Sequence, residues 1–390
     1  MITPAYHHGV LTYNSINIGD EIQSLASMRF LPSVDEYVYR ETIHMFKPSL
    51  PGKTKLIMNA WWMWNSEHFP PSEHIEPLLV SMHFQSNMRS NFLNEKNRKY
   101  LTQHGPVGCR DTESCEWLKK AGIDAYFSGC LTLTLQRNDS IQKSDYILCV
   151  DVPEPVVQAI RSRTDRPVFV ISREIAPYYN SEQRFEIARC VLTMFQQAHC
   201  VISPCLHVIN PCLALETPVL RLLVDNEFAI DMDKRYTGLE SLYNSLSIDN
   251  FVNDPSAYDI NNPPSNPQSY LKIRNNLVER CKTFTGCDSN QSPIPNGINV
   301  GLMLHQLNSY NSSLVKRSLY FARTEDLLKV WMLKTAGINQ HDLVSGALYK
   351  RPKFVLYYAF RWLAGKCWDK GKRVISAPLR FLHNKKCTKP

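Results

Sequence analysis

The chain has 390 residues, of which 44% are hydrophobic and 21% are charged, and this ordinary globular composition excludes extensive disorder. The length exceeds one usual domain of roughly 100 to 200 residues and predicts two domains and an appendage. The net charge of +8 is uneven, because residues 350–390 hold twelve Lys and Arg against one acid. This distribution argues against a nucleic-acid-binding core and predicts a basic tail that binds an anionic surface.

No export signal or membrane-spanning segment is predicted. Residues 1–19 lack a basic stretch followed by an apolar one, and the apolar run at residues 354–364 is interrupted by Arg361, so it falls well short of the ~20 residues that cross a bilayer. We therefore expect a cytoplasmic protein, held peripherally at the inner face of the membrane if its tail binds there. The twelve cysteines show no Cys-x-x-Cys pair, so we expect reduced thiols and no metal site.

The first predicted strand, residues 9–13, leads into a helix that begins near Gly19. Asn17, Gly19 and Asp20 therefore lie where a strand meets a helix N-terminus. Gly19 permits the close approach of backbone or ligand. Asp20 is either the helix cap or a proton acceptor.

Short strands are predicted next at residues 35–39, 55–59 and 78–83. Between the last two, Trp61 and Trp62 belong to an aromatic loop. Such a cluster either offers flat faces to a sugar or packs as a satellite of the core. Both tryptophans are therefore candidates for lining an acceptor site.

Another predicted strand ends at Arg110 and Asp111, and a helix follows with Asp111 or Thr112 as its cap and Gly122 as its stop. Arg110 is either a structural partner of Asp111 or an anion clamp, because the guanidinium fork fits carboxylate and phosphate.

A polar link at residues 136–144 is followed by alternating strands and helices up to residue 222, among them a helix at residues 181–197, and this alternation predicts a second parallel sheet with helices on both faces. We expect an N-terminal Rossmann-like domain at residues 1–137 on the acceptor side and a C-terminal one at residues 145–283 on the donor side. A helical, basic tail is expected at residues 298–390.

Several candidate site residues follow strands of this second half. Arg173 and Glu174 either line a cleft between the two halves or pair at the surface. His207 falls in the first turn of a predicted helix after a buried strand, which is where ligands bind in open α/β sheets. Lys234 and Arg235 lie in a polar loop and are candidates for donor binding. The histidines other than His207 are predicted to be packing or surface residues.

Four segments resemble, in the same order, motifs of the polysaccharide pyruvyl transferase family. They are Asn17-x-Gly19-Asp20, Gly108-x-Arg110-Asp111, Ser128-Gly129-Cys130, and Leu206-His207 with Pro218. At position 205 this chain has Cys where the family has Arg.

The resemblance implies two Rossmann-like domains that face a cleft, as in glycosyltransferases of the GT-B type. It implies transfer of the enolpyruvyl group of phosphoenolpyruvate to a sugar, with formation of a pyruvate ketal, in the biosynthesis of a capsule, exopolysaccharide or other cell-surface glycan. No cofactor is implied. His207 would be the general acid or a phosphate ligand, Arg110 an anion clamp, and Asp20 a candidate base.

Cys205 leaves alternatives open, because a thiol does not replace a guanidinium group. Either Arg173, Lys234 or Arg235 binds the anion instead, or the donor is not phosphoenolpyruvate. The chain is then a GT-B-type glycosyltransferase with a sugar-nucleotide donor, or a non-catalytic carbohydrate-binding or assembly protein. The expected partners are a lipid-linked glycan acceptor and an anionic membrane surface at residues 350–390, with no nucleic acid.

Overall fold

The computed structural model describes residues 6–175, 179–224, 234–288 and 291–296, all of which fall within one compact unit. The predicted tail at residues 298–390, with its proposed membrane contact, lies outside these residues. No helix of the described part is long and apolar enough to cross a membrane.

The described part is a mixed α/β structure whose sheets are parallel, consistent with a Rossmann-like fold. Its strands are β1 (Tyr6–Thr12), β2 (Glu36–Tyr39), β3 (Lys53–Ile57), β4 (Trp61–Trp62), β5 (Ile75–Leu78), β6 (His83–Phe84), β7 (Val107–Cys109), β8 (Ala125–Phe127), β9 (Ile147–Val150), β10 (Val168–Ile171), β11 (Cys200–Ser203), β12 (Val219–Leu223) and β13 (Asn244–Ser247). Its helices are α1 (Gly19–Met28), α2 (Glu95–Gln103), α3 (Thr112–Lys120), α4 (Glu154–Arg161), α5 (Ser181–Gln197), α6 (Leu206–Ala214), α7 (Ile248–Asn253) and α8 (Tyr270–Thr285).

The first sheet is parallel, with strand order β2-β1-β3-β5, and two further parallel pairs are β4–β6 and β7–β8. All eight strands lie before residue 137, in what we call the first half; the strands from β9 onward belong to the second half. The strands predicted at residues 35–39 and 55–59 are present as β2 and β3, with bounds that differ by up to two residues. The strand predicted at residues 78–83 is wrong in its bounds, because β5 ends at Leu78 and β6 begins only at His83. Between them Ser81 has a left-handed φ of 53°, which interrupts extended backbone despite the apolar side chains around it.

The second sheet is also parallel, with strand order β10-β9-β11-β12-β13. In order of appearance this is 2-1-3-4-5, a common order of doubly wound α/β folds. Helix α5 has the predicted bounds, and a capping box fixes its start: the Asn180 side chain accepts from the Gln183 backbone N–H, and the Gln183 side chain accepts from the Asn180 N–H.

The two sheets share one apolar core, to which helices α1, α5 and α6 contribute. The Glu21 carboxylate on α1 and the Arg184 guanidinium on α5 form a buried ion pair at 2.6 Å. Two backbone hydrogen bonds add to this link, from Ile18 N to Arg173 O at 2.9 Å and from Ile175 N to Ile16 O at 2.7 Å. The N-terminus of α1 is therefore held against the segment that follows β10.

Helix α8 follows the second sheet in sequence but contacts the first half. Lys55 Nζ donates to Phe284 O at 2.8 Å. A Cβ on Gly129 would lie 2.5 Å from Ile273 Cγ2 of α8, and Gly129 has a left-handed φ of 69°. Both facts require glycine in the middle of Ser128-Gly129-Cys130.

Candidate functional site

The candidate site lies at the carboxyl ends of strands, where the strand order of each sheet reverses. In the second sheet the reversal falls between β9 and β11; Asp151 follows β9, and the loop after β11 leads to Cys205 and His207. In the first sheet it falls between β1 and β3, and the loop after β1 leads to Gly19. Ligands of doubly wound sheets bind at such positions.

His207, in the first turn of α6, approaches the first residue of α1. A Cβ on Gly19 would lie 2.4 Å from His207 Nδ1 and 2.6 Å from His207 Cβ, which is shorter than any tolerable contact. The close approach expected at Gly19 is thus made by the His207 side chain, and it brings residues of the two halves into one site.

Arg110 fixes the protonation of His207. Arg110 Nη1 lies 3.2 Å from His207 Nε2 and 3.4 Å from Gln23 Oε1. Because a guanidinium only donates, Nε2 accepts, and the proton of the neutral ring is assigned to Nδ1. Burial lowers the pKa of His207 well below its usual value, and the positive charges of Arg110, Arg173 and Arg235 lower it further. The imidazole is therefore uncharged at neutral pH.

Three arginines from separate segments surround His207: Arg110 follows β7, Arg173 follows β10, and Arg235 lies in a 3₁₀ turn at Lys234–Tyr236. Burial lowers the pKa of Arg235 to about 10, with repulsion from Arg110 and Arg173 as further causes. Among the described residues, Nε of Arg110 and Nε of Arg235 have no hydrogen-bond partner although both atoms are buried. Clustered cations with unused buried donors suit an anionic ligand.

The loop that carries Arg235 is docked on the start of α3. Thr112 N donates to Thr237 O at 3.0 Å, and Glu113 N donates to Thr237 Oγ1 at 3.2 Å. Lys234 points to the same helix, with Nζ 3.8 Å from the Glu113 carboxylate. Of the two predicted donor-binding residues in this loop, Arg235 joins the arginine cluster, whereas Lys234 is partly exposed beside an acid.

Cys205 is bound to an acid rather than aimed at an anion. Its Sγ lies 3.6 Å from Asp151 Oδ2, and Arg173 Nε lies 3.4 Å from the same oxygen. Burial raises the pKa of the Cys205 thiol to about 12, so the thiol is neutral and donates to the carboxylate. Asp151 itself has a left-handed φ of 53°, a strained conformation of the kind that clusters at functional sites. The guanidinium beside position 205 is therefore that of Arg173.

Asn17, rather than Asp20, bonds the backbone at the start of α1. Asn17 Oδ1 accepts from Gly19 N at 3.1 Å, and Asn17 forms an isolated antiparallel bridge with Glu174. Asp20 lies inside the first turn, with Oδ2 accepting from Ser15 Oγ at 2.7 Å. Helix capping by Asp20 is thus wrong, while Asn17 and Glu174 do meet beside the site.

Of the two alternatives for the aromatic loop, the structure supports packing for Trp62, whose side chain is not at an accessible face; its place in an acceptor site is not supported. Trp62 is fully buried, and its ring packs edge-on against Phe69 at 5.9 Å, because β4 pairs with β6 inside the first half. Trp61 is also largely buried, and Arg40 lies over its ring at 5.2 Å. The exposed aromatic of this loop is Trp64, with 39% of its surface accessible.

His83 is a site residue that the sequence did not identify. Its Nδ1 lies 2.6 Å from Asp111 Oδ2, and both side chains are buried. Asp111 Oδ1 accepts from Ser114 N at 2.7 Å and so caps α3, as predicted. Burial lowers the pKa of His83 to about 4, with a smaller contribution from the charges of Arg110 and Arg235. The feature of the sequence that could have identified His83 as a site residue is its place at the end of a predicted strand, which Arg110 shares.

In the described ranges, no group of three or more His, Cys, Asp or Glu side chains is arranged to hold a metal ion.

No protein-family profile matches the chain, and no curated protein matches it. Among solved structures the chain is similar to the S. aureus MnaA–UDP co-structure, with a TM-score of 0.34 and 10% identity, over 79% of this chain and 97% of that one. The functional assignment therefore depends on the side chains of the site.

Proposed function

We propose that this chain is a polysaccharide pyruvyl transferase-like enzyme that transfers the enolpyruvyl group of phosphoenolpyruvate to two hydroxyls of a sugar in glycan biosynthesis. The observation that carries this proposal is the convergence of Arg110, Arg173 and Arg235 on the neutral imidazole of His207. Phosphoenolpyruvate carries a carboxylate and a phosphate on one small molecule, and such an ion matches several neighbouring guanidinium groups.

In this proposal the two halves are Rossmann-like domains in a GT-B-like arrangement. The anionic donor lies in a cleft between them, against the second half, and the sugar approaches from the first. The strand ends that meet at His207 and Gly19 support this placement. The acceptor is proposed to be lipid-linked, and residues 350–390 would hold the enzyme at an anionic membrane surface.

The arginine cluster also explains how His207 becomes an acid. Burial lowers its pKa most, and the three guanidinium groups lower it further; a bound anion offsets the charge of these groups, so the pKa of His207 rises when donor binds. Arg110 Nη1, which donates to Nε2, then turns to the anion and leaves Nε2 to take a proton from solvent before the reaction begins. The resulting imidazolium protonates C3 of the enol ether.

Cys205 is compatible with this donor because Arg173 supplies the guanidinium at that place. The shared carboxylate of Asp151 orients Arg173 and binds the Cys205 thiol. The chain thus retains a cation beside residue 205, from a different strand.

A sugar-nucleotide glycosyltransferase is the second candidate. The order of the second sheet favours it, because nucleotides bind at the reversal point of such sheets, and a diphosphate would also suit buried arginines. The two candidates differ in the donor.

Thermal unfolding with candidate donors distinguishes them. A ligand at 100 times its dissociation constant adds about 2.7 kcal/mol to the free energy of unfolding. We expect stabilisation by phosphoenolpyruvate beyond that by inorganic phosphate, and its loss in Arg110→Gln. Arg137→Gln is the matched control, because Arg137 is exposed and pairs with Asp139 and Glu216.

Turnover completes the test. With phosphoenolpyruvate and an acceptor sugar, we expect release of phosphate that His207→Ala abolishes without loss of the folded structure. Unchanged turnover in His207→Ala would contradict the role of this residue. Stabilisation by a nucleotide sugar but not by phosphoenolpyruvate would replace the first candidate by the second, and carbohydrate binding without turnover would indicate a non-catalytic protein.

A further inference from the structure

The dyad of His83 and Asp111 has the geometry of an oriented proton acceptor. Because the Asp111 carboxylate only accepts, His83 Nδ1 donates across the 2.6 Å contact, and the neutral ring leaves its lone pair on Nε2. Nε2 has no hydrogen-bond partner within the described ranges. An imidazole that a buried carboxylate holds in one tautomer is the arrangement of a general base.

The dyad belongs to the same site as the arginine cluster. Asp111 directly follows Arg110, and Arg110 N donates to the carbonyl oxygen of Met82, the residue before His83, at 2.8 Å; the charges of Arg110 and Arg235 act on His83. His83 in turn is among the groups that act on His207. The site therefore holds two imidazoles, His207 at the start of α6 in the second half and His83 on β6 in the first half.

We propose that His83 is a catalytic residue that accepts, at Nε2, the proton of the attacking sugar hydroxyl, and that Asp111 is the positioning residue that orients it. This inference rests on the proposed pyruvyl transfer, to which it adds the base on the acceptor side.

Asp20, the candidate base from the sequence, is less suited to this task. Its Oδ2 accepts from Ser15 Oγ at 2.7 Å, and its Oδ1 accepts from Gln23 Nε2 at 3.4 Å. Both oxygens are therefore engaged, one by the loop before α1 and one by a residue of α1, whereas His83 has an unused nitrogen.

The proposed transfer conserves its protons and bonds through the two imidazoles. His207, charged after donor binding, gives its proton to C3, and the first sugar oxygen bonds to C2 while His83 takes the hydroxyl proton. The bond from C2 to the phosphate oxygen then breaks, and the phosphate leaves with the proton of His83. The second hydroxyl bonds to C2 and returns its proton to His207, which leaves the pyruvate ketal and hydrogen phosphate.

The charges around His83 suit a base that must be neutral before reaction. Arg110 after β7 and Arg235 in the 3₁₀ turn oppose its protonation, and Asp111 is the acid that favours a charged ring; His207 on α6 is close enough for the charges of the two rings to interact. When donor binds, the anion offsets both arginines, and the ring becomes able to hold the hydroxyl proton until phosphate departs.

The test compares His83→Gln and Asp111→Asn with the full-length wild-type chain. The Gln side chain at position 83 can still donate to the Asp111 carboxylate, and an Asn side chain at position 111 can still cap α3. Neither variant therefore leaves the buried side chain at position 111 without a hydrogen bond. His104→Gln is the matched control at a histidine of α2's C-terminus, outside the site. The probes are phosphoenolpyruvate with methyl β-D-galactopyranoside or methyl β-D-glucopyranoside, each of which offers a pair of neighbouring hydroxyls.

We expect kcat to fall by about 10² to 10⁴ in His83→Gln, the usual range for loss of a general base. The stabilisation by phosphoenolpyruvate should stay within about twofold in apparent dissociation constant, because His83 is not assigned to the donor. Asp111→Asn should lower kcat with little change in the KM for phosphoenolpyruvate, since Asn donates to Nδ1 and imposes the wrong tautomer.

The outcomes separate the two proposals. If the wild type releases phosphate and His83→Gln still releases it, the role of His83 is overturned and the proposal of pyruvyl transfer stands. Absence of donor binding and of phosphate release in the wild type itself overturns pyruvyl transfer and, with it, this inference. If His83→Gln loses both turnover and stabilisation by phosphoenolpyruvate, His83 binds the donor, and its assignment as the base is also overturned.

Discussion

Replacing Gly19 with alanine places a methyl group against His207 and tests the contact that joins the two helix N-termini. Gly19 begins α1, where alanine is intrinsically favoured over glycine by about 1 kcal/mol in a helix. Helix propensity alone thus predicts that Gly19→Ala stabilises the protein. The packing around Gly19 predicts the opposite.

The size of the effect follows from three contacts. The added Cβ would lie 2.4 Å from His207 Nδ1, 2.6 Å from His207 Cβ and 2.8 Å from His207 Cγ. Ordinary contacts are about 3.5 Å or longer, so the two helices must separate by about 1 Å. We expect a loss of about 1 to 3 kcal/mol in the free energy of unfolding, and a displacement of this size reduces turnover by about 10²-fold.

Urea unfolding of a double-mutant cycle measures the contact directly. In a His207→Gly background all three atoms are absent or free to move, so Gly19→Ala should lose most of its destabilising effect. Gly286→Ala is the control, because its Cβ meets no atom within 4 Å and only its left-handed φ of 75° opposes the change. Equal effects of Gly19→Ala in both backgrounds, or a gain of stability in the wild-type background, would refute the reasoning.

Four other changes have distinct expected outcomes. Trp62→Ala should lose about 3 to 5 kcal/mol by cavity formation, whereas Trp64→Ala should lose about 0.5 to 1.5 kcal/mol, the usual value of an aromatic pair, for its edge contact with Trp61 at 4.7 Å; thermal melts followed by circular dichroism measure both. Burial lowers the pKa of His83 from 6.5 to about 4 in the folded protein. The free energy of unfolding should therefore be unaffected by this residue above pH 6.5 and should fall by up to about 3 kcal/mol as the pH falls towards 4. His83→Gln should flatten this part of the pH dependence in urea titrations. Arg235→Gln should raise the melting temperature without ligand, because it removes a charge whose burial, together with repulsion from Arg110 and Arg173, lowers the pKa of Arg235 to about 10. The same change should weaken stabilisation by phosphoenolpyruvate. Deletion of residues 350–390, which lie outside the described part, should reduce binding to anionic liposomes in a flotation assay, and equal binding would remove the membrane role.

Local patterns in the sequence predicted the elements and the positions of several site residues. Helix α5 was predicted with its observed bounds because its apolar spacing and polar start are local features. The start of α3 was predicted at Asp111 or Thr112 for the same reason, and Asp111 is the cap; a helix that carries His207 was predicted without bounds and is present as α6. Arg110 and His207 were candidates because each follows a strand, and parallel strands bring their carboxyl ends to one edge.

Local patterns did not predict which side chains meet. His83 had no distinctive neighbour in sequence, and its partner Asp111 is 28 residues away. Trp62 belongs to a strand of two residues whose pairing with β6 buries the ring, and a stretch so short has no period to detect. Arg235 reaches Arg110 because Thr237 bonds to the start of α3, 124 residues earlier.

The sequence by itself determined a parallel α/β protein with ligand-binding candidates at strand ends, because periodicity, caps and strand-helix junctions depend on residues a few positions apart. Only the tertiary structure decided that Arg173 lies beside Cys205, that burial and three arginines keep His207 neutral, and that His83 is oriented by Asp111. These features depend on distances between remote segments and on burial, which set the pKa values and the unused donors of the site.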